Sequence, residues 1–361
     1  MRVLIAPDSF AGTLTAVEAA GAIAEGWARQ APEDAIDLAP MADGGPGFVD
    51  VLHEALGGEL SAVTVRGPRG DPVPATLLAA AGRTWVESAQ SCGLALTGGE
   101  RAESATTWGV GELVIQAIES GATDIVVGLG GSGTNDGGAG LLGALGATAD
   151  RPLDQGVAGL AGIGRLDLEP ARSRLAGVSL TCATDVDSPL TGLFGATKTF
   201  GPQKGIADDR LPIVDGLLEE LAAATDRRTA LEKGAGAAGG LGFALMLLGG
   251  ERCPGFDLVA EAVRLAERAR RADLVITGEG AFDFSSRAGK VPYGVATVAA
   301  EALRPCVALA GRVLVGSREM RALGIESAHS LVDLVGEERA LGDPAGSLAL
   351  LAARVARNWS R

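Results

Sequence analysis

The sequence predicts an α/β protein of two domains. Three observations predict it. The first fifty residues read strand, helix, strand. Residues 61–87 read instead as short strands joined by tight turns, the pattern of antiparallel hairpins. From about residue 110 helix and strand alternate again, and several strands run into loops where an aspartate stands beside glycines. The chain has 361 residues, which suits two domains at about 100–200 residues each.

Residues 3–6 form a short apolar run ended by Pro7 and Asp8, as a buried strand entering a turn does. Thr15 is placed to cap a helix over 16–29, and Glu18, three residues on, completes a capping box. Residues 36–40 read as a second strand, ahead of Ala42, Asp43, Gly44 and Gly45. Strands at 61–66, 73–80 and 84–87 are separated by turn signals at 67–72 and at Gly82. A helix follows at 110–120, and a buried strand at 124–128 opens onto the glycine-rich segment 130–138. A strand at 178–183 leads to Asp185, Val186 and Asp187. A helix at 258–270 precedes a strand at 273–277, which opens onto residues 278–283. A further strand at 305–310 ends at Gly311. In open α/β sheets, ligands bind outside the carboxyl ends of the strands. Glycines there let backbone approach a ligand, and carboxylates hold a metal or accept a proton.

The composition is that of an ordinary globular chain, 47% hydrophobic and 21% charged. The 54 glycines are about twice the usual ~7%, and they cluster after apolar segments. With a net charge of −14, the basic surface that a nucleic-acid binder needs is not visible. It leaves room for an anionic nucleotide held by backbone N–H groups, a lysine and Mg²⁺. Four scattered cysteines without a CxxC pair, and only two histidines, argue against zinc and suit a reducing compartment. The apolar run at residues 3–6 is too short for a signal peptide. No stretch of about 20 apolar residues occurs, so a cytoplasmic protein without membrane contact is expected.

The motifs have both functional and ordinary readings. Residues 128–133 and 234–239 match GxGxxG, but chance matches are common in a glycine-rich chain and no Walker A sequence occurs. Gly130, Gly131, Ser132, Thr134, Asn135 and Asp136 suit a backbone nest with hydroxyls for a phosphate, although the same residue types cap helices. Asp185 and Asp187, two apart in an extended piece, face the same way and suit Mg²⁺ or a base; a solvated turn reads the same. Lys204 lies in a proline–glycine turn, placed for a phosphate or for solvent. Lys290 precedes a helix from Pro292, an arrangement that receives anions. His53, on a helix, and His329 have ordinary structural settings.

Taken in order, the segments 6–10, 41–45, 106–112, 130–138, 185–190, 200–205, 234–242 and 277–283 with Gly289 and Lys290 resemble those of type-1 glycerate kinases over essentially the whole chain. The resemblance implies ATP-dependent phosphorylation of D-glycerate with Mg²⁺, 2-phosphoglycerate being favoured over 3-phosphoglycerate. It implies a flavodoxin-like, three-layer α/β/α domain that is discontinuous (1–60 plus 265–361). A mixed α/β domain with the hairpin region (61–264) is inserted into it, and the active site lies in the cleft between them. Asp8, Ser9, Asp43, Gly44 and Gly45 are then expected at the glycerate. Gly130, Gly131, Ser132, Thr134, Asn135, Asp136 and Lys204 are expected at the nucleotide, and Asp185 and Asp187 at the metal. Asp187, Asp283 and Lys290 are expected to be catalytic. A monomer or homodimer with no nucleic-acid or membrane partner completes the expectation.

The chain departs from that family's usual pattern at three charged positions. Ala11 stands where lysine is usual, Pro46 where glutamate is, and Ala281 where arginine is; Arg287 lies nearby. Cations at such places contribute about 10³–10⁵ to phosphoryl-transfer rates. The departures therefore keep two alternatives open: a kinase for another small hydroxy acid, and a catalytically weak ligand-binding paralogue.

Overall fold

Apolar β-branched runs bounded by turn residues become the strands of a computed structural model that describes residues 1–10, 12–283 and 290–360. In chain order these are β1 (Arg2–Ile5), β2 (Ala35–Leu38), β3 (Glu59–Arg66), β4 (Pro72–Ala80), β5 (Arg83–Glu87), β6 (Asp124–Gly128) and β7 (Thr148–Ala149). They continue with β8 (Leu166–Asp167), β9 (Ser179–Ala183), β10 (Glu251–Cys253), β11 (Leu274–Phe282), β12 (Cys306–Val313) and β13 (Ser327–Ser330). The α/β class expected from the sequence is the class observed. The chain divides into two compact units, one of Met1–Asp43, Asp50–Leu56 and Phe256–Arg361, the other of Gly44–Val49 and Gly57–Gly255.

The first unit carries a sheet in the order β13-β12-β11-β1-β2, with every pairing parallel. Numbered within the unit this is the flavodoxin-like order 2-1-3-4-5, whose switch point lies between β1 and β11. The helix Ala16–Gln30 connects β1 to β2. Thr15 Oγ1 accepts from the Glu18 amide at 3.1 Å, and Glu18 Oε2 accepts from the Thr15 amide at 2.9 Å, the reciprocal box that the sequence signals. Its buried face ends in Trp27, whose indole donates to Asp34 at 2.9 Å. It lies against the C-terminal helix Pro344–Trp359 so closely that a Cβ at Gly26 would stand 1.9 Å from the Ala349 carbonyl oxygen.

The second unit carries a mixed sheet in the order β10-β9-β6-β5-β4-β3. β3, β4 and β5 are antiparallel neighbours, as the hairpin signals imply, and β5, β6, β9 and β10 are parallel. Buried Val86, Ile125, Val127, Leu180 and Cys182 on these strands join the apolar faces of the surrounding helices in one core. β7 and β8 form a separate small hairpin.

Two expected elements differ most, and the strand expected to end at Gly311 runs on as β12 to Val313. The single helix expected over 258–270 is two, Gly255–Ala262 and Leu265–Arg271, because Arg264 takes a left-handed backbone (φ +57°). The strand expected to stop at Thr277 continues as β11 to Phe282, since β12 pairs with it through that residue. Gly278, Glu279 and Gly280 therefore belong to the sheet. Among the described residues no helix is long and apolar enough to cross a membrane.

Candidate functional site

In the first unit the candidates gather at the switch point of the sheet. β1 ends at Ile5, and the chain turns through Pro7 so that the Asp8 amide donates to the Gly278 carbonyl of β11 at 2.8 Å. Asp8 Oδ1 accepts from the Ser9 amide at 2.6 Å. Asp43 follows β2, and Glu279 is buried on β11. The protein around Asp8 desolvates its carboxylate, and the negative charges of Asp43 and then Glu279 oppose ionisation further. Together they hold it well above the ordinary carboxylate range, although the Ser9 bonds pull the other way. Glu279 lies within the segment 277–283, but its flanking glycines read as loop and hide it as a site residue.

Asp283 is half-buried just beyond the end of β11, and half-buried Lys290 precedes the helix Val291–Glu301 with its Pro292. Gly289, Arg287 and Ala11 lie outside the described residues. Ala281 is exposed on β11, and its neighbour in register on β12 is Arg312, whose guanidinium donates to Glu337. An arginine thus stands one strand away from the alanine that replaces one.

In the second unit, residues 130–138 form an irregular loop between β6 and the helix Ala139–Ala144. Asp136, fully buried, draws that loop inward. Its Oδ2 accepts from the Thr107 amide (2.8 Å), the Thr107 hydroxyl (2.9 Å) and the Gly140 amide (3.2 Å), and its Oδ1 from the Gly138 amide (3.1 Å). Burial raises its pKa despite these donors. Lys204, 2% exposed, donates from Nζ to Ser132 Oγ at 2.9 Å and to the Thr134 carbonyl at 2.7 Å. Burial lowers its pKa to about 8, against weaker upward pulls from Cys92 and Asp136. Asn135 donates to the Thr197 hydroxyl at 2.9 Å, and among the described residues its buried Oδ1 has no hydrogen-bond partner.

Glycine makes the rest of the loop possible. The Gly130 amide donates to the Gly44 carbonyl at 2.9 Å, and a Cβ at Gly130 would meet the Gly45 Cα at 2.3 Å. A Cβ at Gly131, where φ is +69°, would meet the Pro46 ring at 2.6 Å. Gly44, Gly45 and Pro46 therefore lie directly on the loop. From the other side the Gly137 amide donates to the Gly239 carbonyl at 2.9 Å, and a Cβ at Gly239 would stand 2.1 Å from the Thr134 carbonyl oxygen. The end of the second GxGxxG match thus packs on the part of the loop that follows the first, and residues 238–240 turn left-handed inside Ala237–Leu247. Neither match opens a regular helix at its third glycine as a dinucleotide fingerprint does: after Gly133 the loop runs on to the helix Ala139–Ala144, and Gly239 is itself left-handed. Sequence reading missed Thr107, Thr197 and Gly239 as supports. Thr107 and Gly239 lie within the segments 106–112 and 234–242, and Thr197 carries no signal.

Asp185 is half-buried after β9. Asp187 is 58% exposed and accepts from Arg252 (2.7 Å) and Lys233 (3.1 Å). To ligate a cation, Asp187 would exchange one of these partners. Among the described residues no group of three or more His, Cys, Asp or Glu is arranged to hold a metal. Mg²⁺ commonly takes one or two carboxylates and completes its shell with water or phosphate oxygens, so the carboxylates of Asp185 and Asp187 are compatible with it. His53 lies on the helix Phe48–Leu56, and His329 lies on β13, its Nε2 3.1 Å from Ser327 Oγ.

The glycerate kinase family model matches residues 3–360. A Bacillus subtilis glycerate kinase is 40% identical over 92% of this chain and 90% of its own length. An Escherichia coli glycerate 2-kinase is 38% identical over 93% of this chain and 92% of its own. A solved Salmonella typhimurium LT2 structure, provisionally assigned as a glycerate kinase 2, superposes with a TM-score of 0.79 at 34% identity, covering 99% of this chain and 98% of that one.

Proposed function

Since the chain belongs to the glycerate kinase family, we propose that it transfers the terminal phosphoryl group of Mg²⁺-bound ATP to a hydroxyl of D-glycerate. The name of the Escherichia coli relative favours the 2-hydroxyl and hence 2-phosphoglycerate. The observation that carries the reading is the meeting of Asp8, Asp43 and Glu279 at the switch point of the first sheet. Phosphoryl transfer asks a protein for positioning and charge control rather than covalent chemistry. A carboxylate with a raised pKa suits the proton that leaves the attacking hydroxyl.

In this reading Asp8, Ser9 and Asp43, with the backbone of Gly44 and Gly45, hold the glycerate hydroxyls. The proton passes to a carboxylate of the Asp8 cluster as the new O–P bond forms and the bond to the departing ADP breaks. Gly130, Gly131, Ser132, Thr134 and Asn135 receive the phosphates. Asp136 and Lys204 act from inside, by holding that loop in shape. Asp283 and Lys290 serve the transferring group. Asp185 and Asp187 meet Mg²⁺ when the nucleotide brings it, Asp187 giving up Lys233 or Arg252. Among the described residues Cys92, Cys182, Cys253 and Cys306 form no disulfide, which suits a cytoplasmic setting.

The test is ADP release with D-glycerate beside a panel of small hydroxy acids, with the product's phosphate position read by NMR. Turnover on glycerate giving the 2-phosphate is expected. Turnover on a different acid alone, or binding without turnover, would replace the reading with one of the alternatives raised by Ala11, Pro46 and Ala281.

A further inference from the structure

We propose that the second unit carries a separate binding site for a small anion bearing a phosphate or carboxylate group. It is a cavity of about 450 Å³ lined by Arg69, Arg101, Ser104, Asp154 and Gln155, a volume within the range of small-molecule sites. None of these residues belongs to the glycine loop or to the aspartate candidates.

The charge balance of the cavity is that of its arginines. Asp154, its acidic wall residue, is tied to Arg66 at 3.2 Å. Arg69 donates to the Thr97 carbonyl, and its carboxylate neighbour is Glu100 at 3.8 Å, with a side chain 75% exposed. So long and exposed a pair is worth little, and an incoming anion displaces it readily. The Arg101 guanidinium has no acceptor among the described residues. Gln155 adds a neutral amide donor.

The site is built, not incidental. Arg101 takes φ +55°, a conformation that L-residues other than asparagine and aspartate seldom adopt. Its carbonyl accepts from the Ser104 amide (3.0 Å), the Ala105 amide (3.1 Å) and the Ser104 hydroxyl (3.2 Å), which locks the turn. The opposite wall is stitched to the same turn, because the Ala158 amide donates to the Glu103 carbonyl at 2.9 Å. A guanidinium on a locked, strained turn beside a second guanidinium presents planar donors suited to carboxylate or phosphate.

The site also touches the glycine loop. Arg69 holds the Thr97 carbonyl, and a Cβ at Gly133 would stand 2.2 Å from Thr97 Oγ1. An anion that draws Arg69 away from Thr97 acts on the residue against which Gly133 lies. This coupling rests on the glycine loop serving the nucleotide; the anion binding does not.

Calorimetric titration of the full chain with inorganic phosphate, and separately with malonate, tests the binding. Saturable, salt-sensitive binding is expected. It should weaken at least tenfold in Arg69→Gln/Arg101→Gln and survive in Arg101→Lys. Which probe binds more tightly tells phosphate from carboxylate recognition. Binding that is unchanged in the double variant, or that never saturates, overturns the site. Arg101→Gln, exposed and outside the catalytic machinery, should keep phosphotransfer within twofold. Added phosphate should shift the KM for ATP in the wild type and not in Arg101→Gln. Loss of that shift alone, with calorimetric binding intact, overturns the coupling. Absence of any ATP turnover would overturn the kinase reading and leave the calorimetric result standing.

Discussion

Lys204 Nζ and Ser132 Oγ, 72 residues apart in the chain, meet at 2.9 Å inside the second unit. The ammonium is almost wholly buried and bridges the turn at residues 201–205 to the glycine loop. A lysine in that position is a brace, and its charge is held at a cost.

That cost has a sign. Burial lowers the Lys204 pKa to about 8 from the 10.5 of a free lysine. Between those values the unfolded chain binds more protons than the folded one, so stability from this group rises with pH. Relative to Lys204→Met, the wild type should gain on the order of 2–3 kcal/mol between pH 8 and 10.5. Chemical denaturation of both proteins across that range measures it; parallel curves would refute the burial argument. Lys204→Met should also raise the KM for ATP, since the loop loses its brace.

Asp8 behaves in the opposite sense. Its folded pKa is raised, so the folded state binds the extra proton, and stability is lost as pH rises through the window above 3.8. Asp8→Asn removes a charge from beside Asp43 and Glu279 while keeping an acceptor for the Ser9 amide. It should therefore raise stability at pH 7 while cutting kcat by about 10²–10⁴. A thermal melt and a turnover assay on the same preparation check both. A variant that is both destabilised and active would remove Asp8 from the proposed chemistry. In the wild type, kcat should fall as pH drops through the raised Asp8 pKa.

Asp136→Asn is predicted to be a folding defect before it is a catalytic one. An amide cannot accept on both sides, so one of its atoms must face donors from Thr107 and Gly140 or from Gly138. Leaving such buried donors unpaired costs about 1–3 kcal/mol. The denaturation midpoint should fall accordingly, with hydrogen exchange accelerated at residues 130–140.

The departures from the family pattern give a further test. Pro46 stacks on Gly131, and Arg312 neighbours Ala281. If Arg312 supplies the charge that Ala281 lacks, Arg312→Ala should lower kcat/KM for glycerate at least tenfold, and Ala281→Arg should restore it in that background. Failure of the second variant to rescue the first would leave Arg312 with its surface pair to Glu337 alone.

Much of this was legible in the sequence, for identifiable reasons. Turn residues and capping pairs act locally, so the hairpin strands β3 to β5 and the Thr15 helix start emerged within two residues of their places. Glu279 was missed as a site residue because Gly278 and Gly280 read as loop, whereas pairing with β12 carries β11 through them. Arg264 broke a helix that its flanking residues favour, through a left-handed backbone that no local residue marks. The inward direction of Asp136 and Lys204 was equally hidden. Both residue types read as ligand contacts, and only the surrounding fold turns them toward the loop's interior.

The glycine loop is held by Thr107, Thr197, Lys204 and Gly239, anchors contributed from segments scattered over more than a hundred residues. Contacts of such long sequence separation form late, after the loop-closure entropy between them has been met. The loop should therefore be among the last parts of the second unit to order during refolding. Recovery of ligand binding then lags behind recovery of secondary structure, so freshly folded chains pass through a state with strands in place and no competence to bind.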